Sequence, residues 1–306
     1  MEKQDRISAV SRMQSYMAEH LNEEITLEAL GEAAGYSKYH AARVFKELTG
    51  LTPFQAIRAL RLTQGAAALQ QPREKVVDAA LASGFDSHEG FTRAFARRFA
   101  INPQDYRRKT PAVAWFTAYP IEAYYQLKEG KSMGKVSTPA IVTVTPVERP
   151  PRKLILKRTV RATDYLSMCE EVGCDWEGLF NSIPEKLDTF CACDLPPRLV
   201  APGTGPHAFG VEVPADYDKP IPAGCDAIDL PACTLLFFQS APYEREADFG
   251  MAYESVYAAV AAYQPERYGW QFAPELGPKC TFAAKPTTGA RQVVPVKPIG
   301  QPGAKE

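Results

Sequence analysis

Two segments of the sequence repeat the same residue types at an offset of 50 positions. In both, a glycine and an aromatic residue precede a serine, and apolar and basic residues then recur at helical spacing. The matched pairs include Ser37 and Ser87, Arg43 and Arg93, Phe45 and Phe95, and Pro53 and Pro103. The guanidinium group of arginine offers paired donors that match the acceptor edge of guanine. An arginine at the same position of both repeats therefore predicts sequence-specific contact with double-stranded DNA.

Each repeat has the order of a helix-turn-helix unit. A supporting helix ends at Gly35 in the first repeat and at Gly84 in the second, and a serine then caps a recognition helix. Any single charged residue on these helices could instead belong to an ordinary solvent-exposed helix face with no role in DNA binding. The predicted DNA contacts are Ser37, Lys38, Tyr39, His40, Arg43 and Lys46 in the first unit, Ser87, His88, Glu89, Thr92, Arg93, Arg97 and Arg98 in the second, and Arg107 on a short helix that follows.

Apolar residues at helical spacing predict the elements that hold the two recognition helices in place. Five apolar residues between positions 7 and 21 recur every three or four residues and predict an opening amphipathic helix. Thr52 and Pro53 form a cap and a first-turn proline, which predicts a spacer helix to about residue 69. Phe91, Phe95 and Phe99 have four-residue spacing and predict a core stripe.

The chain of 306 residues has a net charge of −1 that hides an asymmetry. Residues 1–110 carry a net charge of +3 and the remainder −4, as expected for a DNA-binding domain joined to a domain with a different partner. The charged start and the lack of a long apolar run argue against a signal peptide or a membrane span, so we expect a cytoplasmic protein. Cys191 and Cys193 lack nearby histidine partners, so we expect reduced thiols and no metal site.

The second half of the chain predicts an α+β domain. Strands are expected at 141–144, 153–157, 235–238 and 293–296, and helices at 164–183, with an interruption near Gly173, and at 249–263. The order strand, helix and strands occurs twice, which predicts two-fold internal repetition. The expected architecture is an all-α double helix-turn-helix domain at 1–110, a linker at 111–137, an α+β domain with two-fold internal repetition at 138–299, and a tail at 300–306.

The first half resembles the AraC/XylS family of bacterial transcription regulators over roughly residues 7–109. The resemblance rests on the segments 35–46, 58–62 and 84–103. It implies seven helices, with two recognition helices in successive major-groove segments on one face of the DNA, so that one chain can hold a full site. It also implies that Tyr39, Arg43, His88, Thr92 and Arg93 approach bases, and RNA polymerase is a candidate partner.

The second half resembles the GyrI-like small-molecule-binding domains over about residues 138–299. The resemblance rests on Tyr165 and on the segments 170–176, 210–214, 229–232 and 294–297. It implies a cleft between the two repeats, lined by aromatic rings and often by a buried carboxylate, for a small hydrophobic or cationic effector. The candidate ligand-binding residues are Glu171, Trp176, Phe209, Tyr253, Glu254, Tyr257, Tyr268, Trp270 and Phe272.

The identity of the acid in this cleft stays open at the level of sequence. Glu171 or Glu254 is favoured, with Glu212 and Glu275 as further candidates. Gln292 stands where relatives often carry a glutamate, which weakens the case for a cationic ligand. The alternative hypothesis is that about half of these aromatic residues are core residues that do not contact a ligand.

Two other functions compete with effector binding in the second half. GyrI-like domains also suggest hydrolysis or sequestration of reactive small molecules, through a glutamate and a neighbouring aromatic residue. A silent domain that serves only as a dimer or partner interface is the third hypothesis. The sequence has no Gly-x-Ser-x-Gly, His-Glu-x-x-His or phosphate-loop motif, so we expect no enzyme, no catalytic residues and no cofactor.

Overall fold

The computed structural model describes residues 3–129, 141–173, 175–244 and 248–300. The chain divides into two compact units. Unit 1 comprises Met1–Gly130 and Glu177–Pro184, and unit 2 comprises Lys131–Trp176 and Glu185–Glu306. Residues 130–137 of the predicted linker and 301–306 of the predicted tail lie outside the described residues.

Unit 1 contains a run of eight helices. They are α1 (Lys3–Glu19), α2 (Leu27–Ala34), α3 (Lys38–Thr49), α4 (Pro53–Ala68), α5 (Val76–Ala82), α6 (His88–Phe99), α7 (Pro103–Lys109) and α8 (Ile121–Lys128). Helices α2 to α3 and α5 to α6 are the two helix-turn-helix pairs expected from the repeat. Helix α8 is a finding that the sequence pattern did not predict, because it lies in the segment assigned to the linker.

The core of the first helix-turn-helix pair forms around α1. Ile7, Val10, Met13 and Met17 of this helix are all buried, which confirms the predicted amphipathic stripe. Ile121, the first residue of α8, is buried in the same core. The chain that follows α7 therefore returns to the core of the first pair.

The second pair has a core built on aromatic rings. Phe91, Phe95 and Phe99 are buried as predicted, with ring centroids 5.3 and 4.7 Å apart along the helix. Tyr106 of α7 joins them, and its ring lies 5.3 Å from that of Phe95. Burial raises the pKa of Tyr106 to about 12, while its hydroxyl oxygen accepts a hydrogen bond from Gln70 at 2.9 Å. This core fixes α7, and with it Arg107, to the second recognition helix.

Helix α4 joins the two pairs and begins as the sequence predicts. The Thr52 side chain accepts from the Gln55 backbone amide at 3.3 Å, and the Gln55 side chain accepts from the Thr52 backbone at 2.8 Å. This reciprocal capping box, with Pro53 at the first helical position, defines the start of the helix.

Unit 2 is built on a nine-stranded sheet in which every pairing is antiparallel. The strand order is β1-β6-β9-β8-β3-β4-β2-β5, with β7 paired to β9. The elements that follow α8 along the chain are β1 (Val142–Arg149), β2 (Arg152–Arg158), α9 (Tyr165–Val172), α10 (Trp176–Asn181), β3 (Cys191–Asp194), β4 (His207–Pro214), β5 (Asp226–Leu230), β6 (Cys233–Ser240), α11 (Phe249–Ala262), β7 (Trp270–Phe272), β8 (Lys279–Lys285) and β9 (Gly289–Pro298).

Most of helix α10 belongs to unit 1, although the sequence analysis assigned it to the second domain. Gln70 donates to the Ser182 backbone oxygen at 2.6 Å, and the Ser182 hydroxyl accepts from the Val113 amide at 2.9 Å. Gly178 lies against the backbone of Trp115, where a Cβ atom would stand 1.8 Å from the carbonyl oxygen. Glycine is therefore required at this close approach.

None of the helices described for this chain combines the length and the apolar character that a membrane-crossing segment requires.

Candidate nucleic-acid interface and effector site

The first recognition helix, α3, presents polar and basic residues on its outer side. Tyr39 is 74% exposed. The Arg43 side chain is 66% exposed, its Nη2 lies 2.8 Å from His40 Nδ1, and its Nε lies 3.9 Å from a Glu47 carboxylate oxygen. These are weak surface contacts that DNA could replace at small cost.

Other predicted contacts of the first unit have mixed surroundings. Lys46 is exposed, whereas Lys38 pairs with Glu28 of α2. Ser37 occupies the N-cap position with extended backbone, but its side chain makes no capping hydrogen bond. The prediction that the Ser37 side chain caps α3 is therefore wrong in its detail, and this leaves the hydroxyl available at the exposed start of the helix.

The second recognition helix, α6, repeats this arrangement. Arg93 is exposed and is the sixth residue of α6, as Arg43 is of α3. Ser87 does cap the helix, since its hydroxyl accepts from the Gly90 amide at 3.1 Å. The two arginines thus occupy equivalent places on equivalent helices, on the basis of structure as well as sequence.

Further residues of α6 and α7 extend the outer surface of the second unit. His88, Glu89, Arg97 and Arg107 are exposed. Two of the predicted contacts depart from this pattern. The Thr92 hydroxyl is buried and, within the described ranges, has no hydrogen-bond partner; Arg98 is exposed and donates to the Ala114 backbone oxygen at 3.3 Å.

Arg61 is a residue whose role the sequence analysis did not assign. It projects from α4, donates to the backbone oxygens of Leu21 and Glu23 at 2.9 and 2.5 Å, and donates to that of Gly84 at 3.0 Å. Leu21 and Glu23 precede α2, and Gly84 precedes α6. One side chain therefore ties backbone segments of both helix-turn-helix pairs to the spacer helix.

The sheet of unit 2 has one face that carries helices, which we call the helix face. A row of directly opposed residues crosses it from β4 to β6, and opposed residues share a face of a sheet. The row is Phe209, Ala192, Thr281, Gln292 and Phe238. Its ends are covered, Phe209 by the Trp176 ring and Phe238 by the core that includes α11.

The middle of this row is less covered than its ends. Ala192 and Thr281 are half-buried, whereas Gln292, at 3% exposure, is buried like Phe209 and Phe238. The Gln292 amide donates to the Thr281 hydroxyl at 2.8 Å. We call Ala192, Thr281 and Gln292 the central strip. It is a partly exposed floor of apolar and uncharged polar groups.

Predicted aromatic ligand residues lie on both sides of the central strip. On one side Trp176 stacks on Phe209, with ring centroids 3.6 Å apart and planes at 5°. On the other side Tyr257 is 46% exposed, stacks on Tyr253 at 6.0 Å, and hydrogen-bonds with Thr281. Partial burial raises the pKa of the Tyr257 hydroxyl.

The remaining aromatic candidates lie apart from the central strip. Tyr268 is 66% exposed and stacks on Tyr263 at 5.3 Å. Trp270 and Phe272 belong to β7, which pairs only with the outer part of β9. The Tyr253 hydroxyl is engaged by the backbone of β8, since it donates to Phe282 and accepts from Ala284.

The candidate acids differ in their surroundings. Glu171 is exposed, and its carboxylate accepts backbone hydrogen bonds from Arg161, Val160 and Ala162, which lower its pKa. It thus holds a loop by satisfying three amides. Glu254 is half-buried.

The two further acids also have partners. Glu275 pairs with Lys297 at 2.6 Å. Glu212 is buried and pairs with Arg152, Nε to Oε1 at 2.6 Å. It lies opposite Leu154 and therefore on the face away from the helices.

A polar group that the sequence analysis missed stands beside the central strip. An Asp194 carboxylate oxygen lies 3.0 Å from His207 Nδ1, and the other carboxylate oxygen pairs with Lys279 at 2.8 Å. Asp194 and Lys279 are directly opposed on β3 and β8. No local signal could have found this group, because its members are far apart in sequence and only strand pairing brings them together.

The known proteins to which this chain is similar are each matched over less than half of its length. A family model described as a helix-turn-helix domain matches residues 30–109. The chain is 34% identical over 138 residues to the right origin-binding protein of Escherichia coli (strain K12), a match that covers 45% of this chain and 48% of that protein. The chain thus spans about half the length of the curated relatives that it matches first.

Shorter relatives are covered more fully. The Transposon Tn10 TetD protein of Escherichia coli is 33% identical over 107 residues, which is 35% of this chain and 78% of that protein. The multiple antibiotic resistance protein MarA of Salmonella typhimurium is 35% identical over 92 residues, 30% of this chain and 72% of that protein. A solved structure of a Chromobacterium violaceum transcriptional regulator with an AraC-type DNA-binding domain is 26% identical to this chain. The match covers 33% of this chain and 91% of the solved chain, with a TM-score of 0.32.

The family match covers both recognition helices, and the shorter relatives are matched over most of their length. The chain therefore belongs to the AraC/XylS family of transcription regulators.

Proposed function

We propose that this chain is a sequence-specific DNA-binding transcription regulator whose sheet unit binds a small hydrophobic effector. The observation that carries the first part is the equivalence of Arg43 and Arg93, which are exposed at the same position of two recognition helices. Paired guanidinium donors at these positions suit the acceptor edge of guanine in the major groove. RNA polymerase is a further proposed partner, by analogy with the family.

Phosphate contacts would come from the basic residues beside these arginines. Lys46, Arg97, Arg98 and Arg107 are exposed around the recognition helices. With about 5–8 phosphate contacts, the logarithm of the binding constant should fall with the logarithm of salt concentration with a slope of about −5 to −7.

The test is a salt titration of duplex binding by the full chain. Lys46→Ala should weaken binding to all sequences alike and reduce the slope by about 1. Lys75→Ala is the matched control, because Lys75 is an exposed lysine at the start of α5, outside both recognition helices. A wild-type slope near zero would contradict the proposed interface.

For the second unit we propose that the effector lies over the central strip, between the two aromatic pairs. This location rests on a further proposal, that the sheet is a two-fold repeat in which β2, α9, β3 and β4 correspond to β6, α11, β8 and β9. The strand order supports this proposal, because it is symmetric about the β8–β3 junction. The central strip lies at this junction, and we place the effector there, between the helices of the two repeats.

The chemistry of the strip suits a flat apolar ligand with a hydrogen-bonding group. Tyr257 offers an exposed ring, and Thr281, whose hydroxyl accepts from the buried Gln292 amide, offers an uncharged polar group beneath it. Glu171, one of the two acids first favoured for a cation, bonds to three backbone amides, and Asp194, which the sequence did not single out, is paired with Lys279. We therefore propose shape and apolar area as the main source of affinity, with charge secondary.

A matched pair of exposed tyrosines tests this location. Tyr257→Ala should weaken calorimetric binding of a flat hydrophobic probe such as a rhodamine dye by about 2- to 12-fold, since an aromatic contact of this kind is worth about 0.5–1.5 kcal/mol beyond its area. Tyr268→Ala should leave binding unchanged. Equal losses in the two variants, or a loss in Tyr268→Ala alone, would place the ligand elsewhere.

Charge preference needs its own comparison. A cationic probe and a neutral analogue of the same shape should lose similar affinity in Glu171→Gln if this acid only supports the loop. A loss of affinity for the cationic probe alone would indicate that Glu171 contacts the ligand.

A further inference from the structure

The two central strands of the sheet bring three cysteine thiols together on the face opposite the helices. Cys191 and Cys193 are two residues apart on β3 and so share a face. Cys280 of β8 is directly opposite Cys193. All three residues are buried, with 1%, 1% and 4% exposure.

The sulfur atoms have the spacing of a metal-binding set. The Cys193 sulfur lies 3.5 Å from that of Cys191 and 3.7 Å from that of Cys280, and all three lie within 4.8 Å of one another. An ion at about 2.3 Å from each of three sulfurs in one plane would separate them by about 4 Å. The two sulfur–sulfur distances that involve Cys193 are therefore within about 0.5 Å of this separation.

The surroundings select the kind of ion. Among the described residues, no histidine, aspartate or glutamate joins the three thiols as a ligand within the same distance. The site is lined by apolar core residues, including Leu154, Leu156 and Ala208. Three soft ligands in a dry setting without a fourth partner favour Cu(I) over Zn²⁺, which takes four ligands in structural sites.

We propose that Cys191, Cys193 and Cys280 form a three-coordinate site for Cu(I). On binding, each thiol releases its proton and becomes a thiolate, and the copper ion keeps its oxidation state. Three thiolates and one Cu(I) give a net charge of −2 within the site.

The position of the site gives binding a structural consequence. An ion held by both β3 and β8 would cross-link the two strands at the junction of the two halves of the sheet. The opposite face of the same strands carries Ala192 and Thr281, the floor proposed for the effector. The copper site itself does not depend on that proposal or on DNA binding.

The test is a titration of the reduced full chain with Cu(I) under anaerobic conditions, in competition with a colorimetric Cu(I) chelator. We expect one equivalent of tightly bound copper and sulfur-only coordination by X-ray absorption. Loss of an outer-shell partner typically costs about 10- to 100-fold in metal affinity. Loss of the direct ligand in Cys280→Ala should therefore cost more than about 100-fold.

Controls separate this site from general thiol chemistry. Cys225→Ala removes a half-buried thiol outside the set and should leave the affinity unchanged. Cys191→Ala provides a second ligand variant, and circular dichroism checks that each variant is folded. The proposal is overturned if the wild type binds no copper at one equivalent, if folded Cys191→Ala and Cys280→Ala retain wild-type affinity, or if Cys225→Ala loses as much as they do. Tighter binding of Zn²⁺ than of Cu(I) would overturn the choice of ion.

Discussion

Replacing Arg61 by methionine should separate the positioning of the recognition helices from their contact with DNA. Arg61 makes hydrogen bonds to the backbone oxygens of Leu21, Glu23 and Gly84, on both sides of the spacer helix. Arg61→Met removes these donors and keeps an apolar stem of similar length. Because no bond of Arg61 points to the recognition surface, we expect this residue to act on DNA binding through the placement of α3 and α6.

The expected loss of DNA affinity follows from the hydrogen bonds that Arg61→Met removes. A hydrogen bond to a charged group is worth about 1.5–3 kcal/mol. The bond to Glu23 is solvent-exposed, so we count only the part-buried bonds to Leu21 and Gly84 and take them near the low end, about 2–3 kcal/mol together. At about 1.4 kcal/mol per tenfold change, DNA binding should weaken about 30- to 100-fold.

Fluorescence anisotropy with a labelled duplex over a series of salt concentrations is the assay. Arg61→Met should lower the affinity at every salt concentration and keep the wild-type slope, because no phosphate contact is lost. Arg58→Met, which removes an exposed arginine from the same helix, is the control for loss of charge. A slope reduced by about 1 in Arg61→Met would make Arg61 a phosphate contact. An affinity loss no larger than that of Arg58→Met would refute the positioning role.

Three further outcomes can be measured independently. Ala100 ends α6 with φ +55° and Gly50 ends α3 with φ +79°, and this left-handed conformation favours glycine over alanine. Chemical denaturation should therefore show that Ala100→Gly stabilises the fold by about 0.5–1 kcal/mol and that Gly50→Ala destabilises it by a similar amount. Gly178→Ala should speed hydrogen exchange in 177–184, because its Cβ would overlap the Trp115 carbonyl; unchanged exchange would contradict this packing. The lowered pKa of Glu171 means that its ionised form stabilises the fold above the unfolded-state pKa of about 4.3 and that this contribution is lost on acidification, so Glu171→Gln should flatten the acid side of the stability profile.

The helix-turn-helix units could be predicted from sequence because their signals are local. Glycine, capping residue, apolar spacing and first-turn proline all fall within about 20 residues of one another, and they are repeated. Phe91, Phe95 and Phe99 are buried for the same reason, since four-residue spacing places them on one side of a helix. The missing side-chain cap at Ser37 shows the limit of this approach, because the residue type fixes the position but not the rotamer.

Features that depend on strand pairing could not be predicted from the sequence pattern. Strands β3 and β8 carry no clean alternation of apolar and polar residues, and neither was predicted. As a result Cys280, 87 residues after Cys193, was not recognised as the neighbour of the Cys191 and Cys193 pair. The same applies to Asp194 and Lys279. Helix α8 was missed because its buried face depends on contact with α1, not on its own periodicity.

Glu171 illustrates a different kind of difficulty. Its residue type and its place in a family-like segment suggested a ligand-binding carboxylate, yet in the structure it accepts hydrogen bonds from the backbone amides of residues 160–162. Loop amides leave no trace in the sequence. Only the fold shows that this carboxylate already has partners.

The central claim is that α3 and α6 of one chain contact bases through Arg43 and Arg93. Selection of bound duplexes from a randomised DNA pool tests this claim most directly. The wild-type chain should select two blocks of preferred sequence whose centres lie about one helical turn, or about 10 base pairs, apart. Arg43→Ala should erase preference within one block and Arg93→Ala within the other, each at a cost of about 1–3 kcal/mol. Selection of no motif, or retention of both blocks by both variants, would contradict the claim.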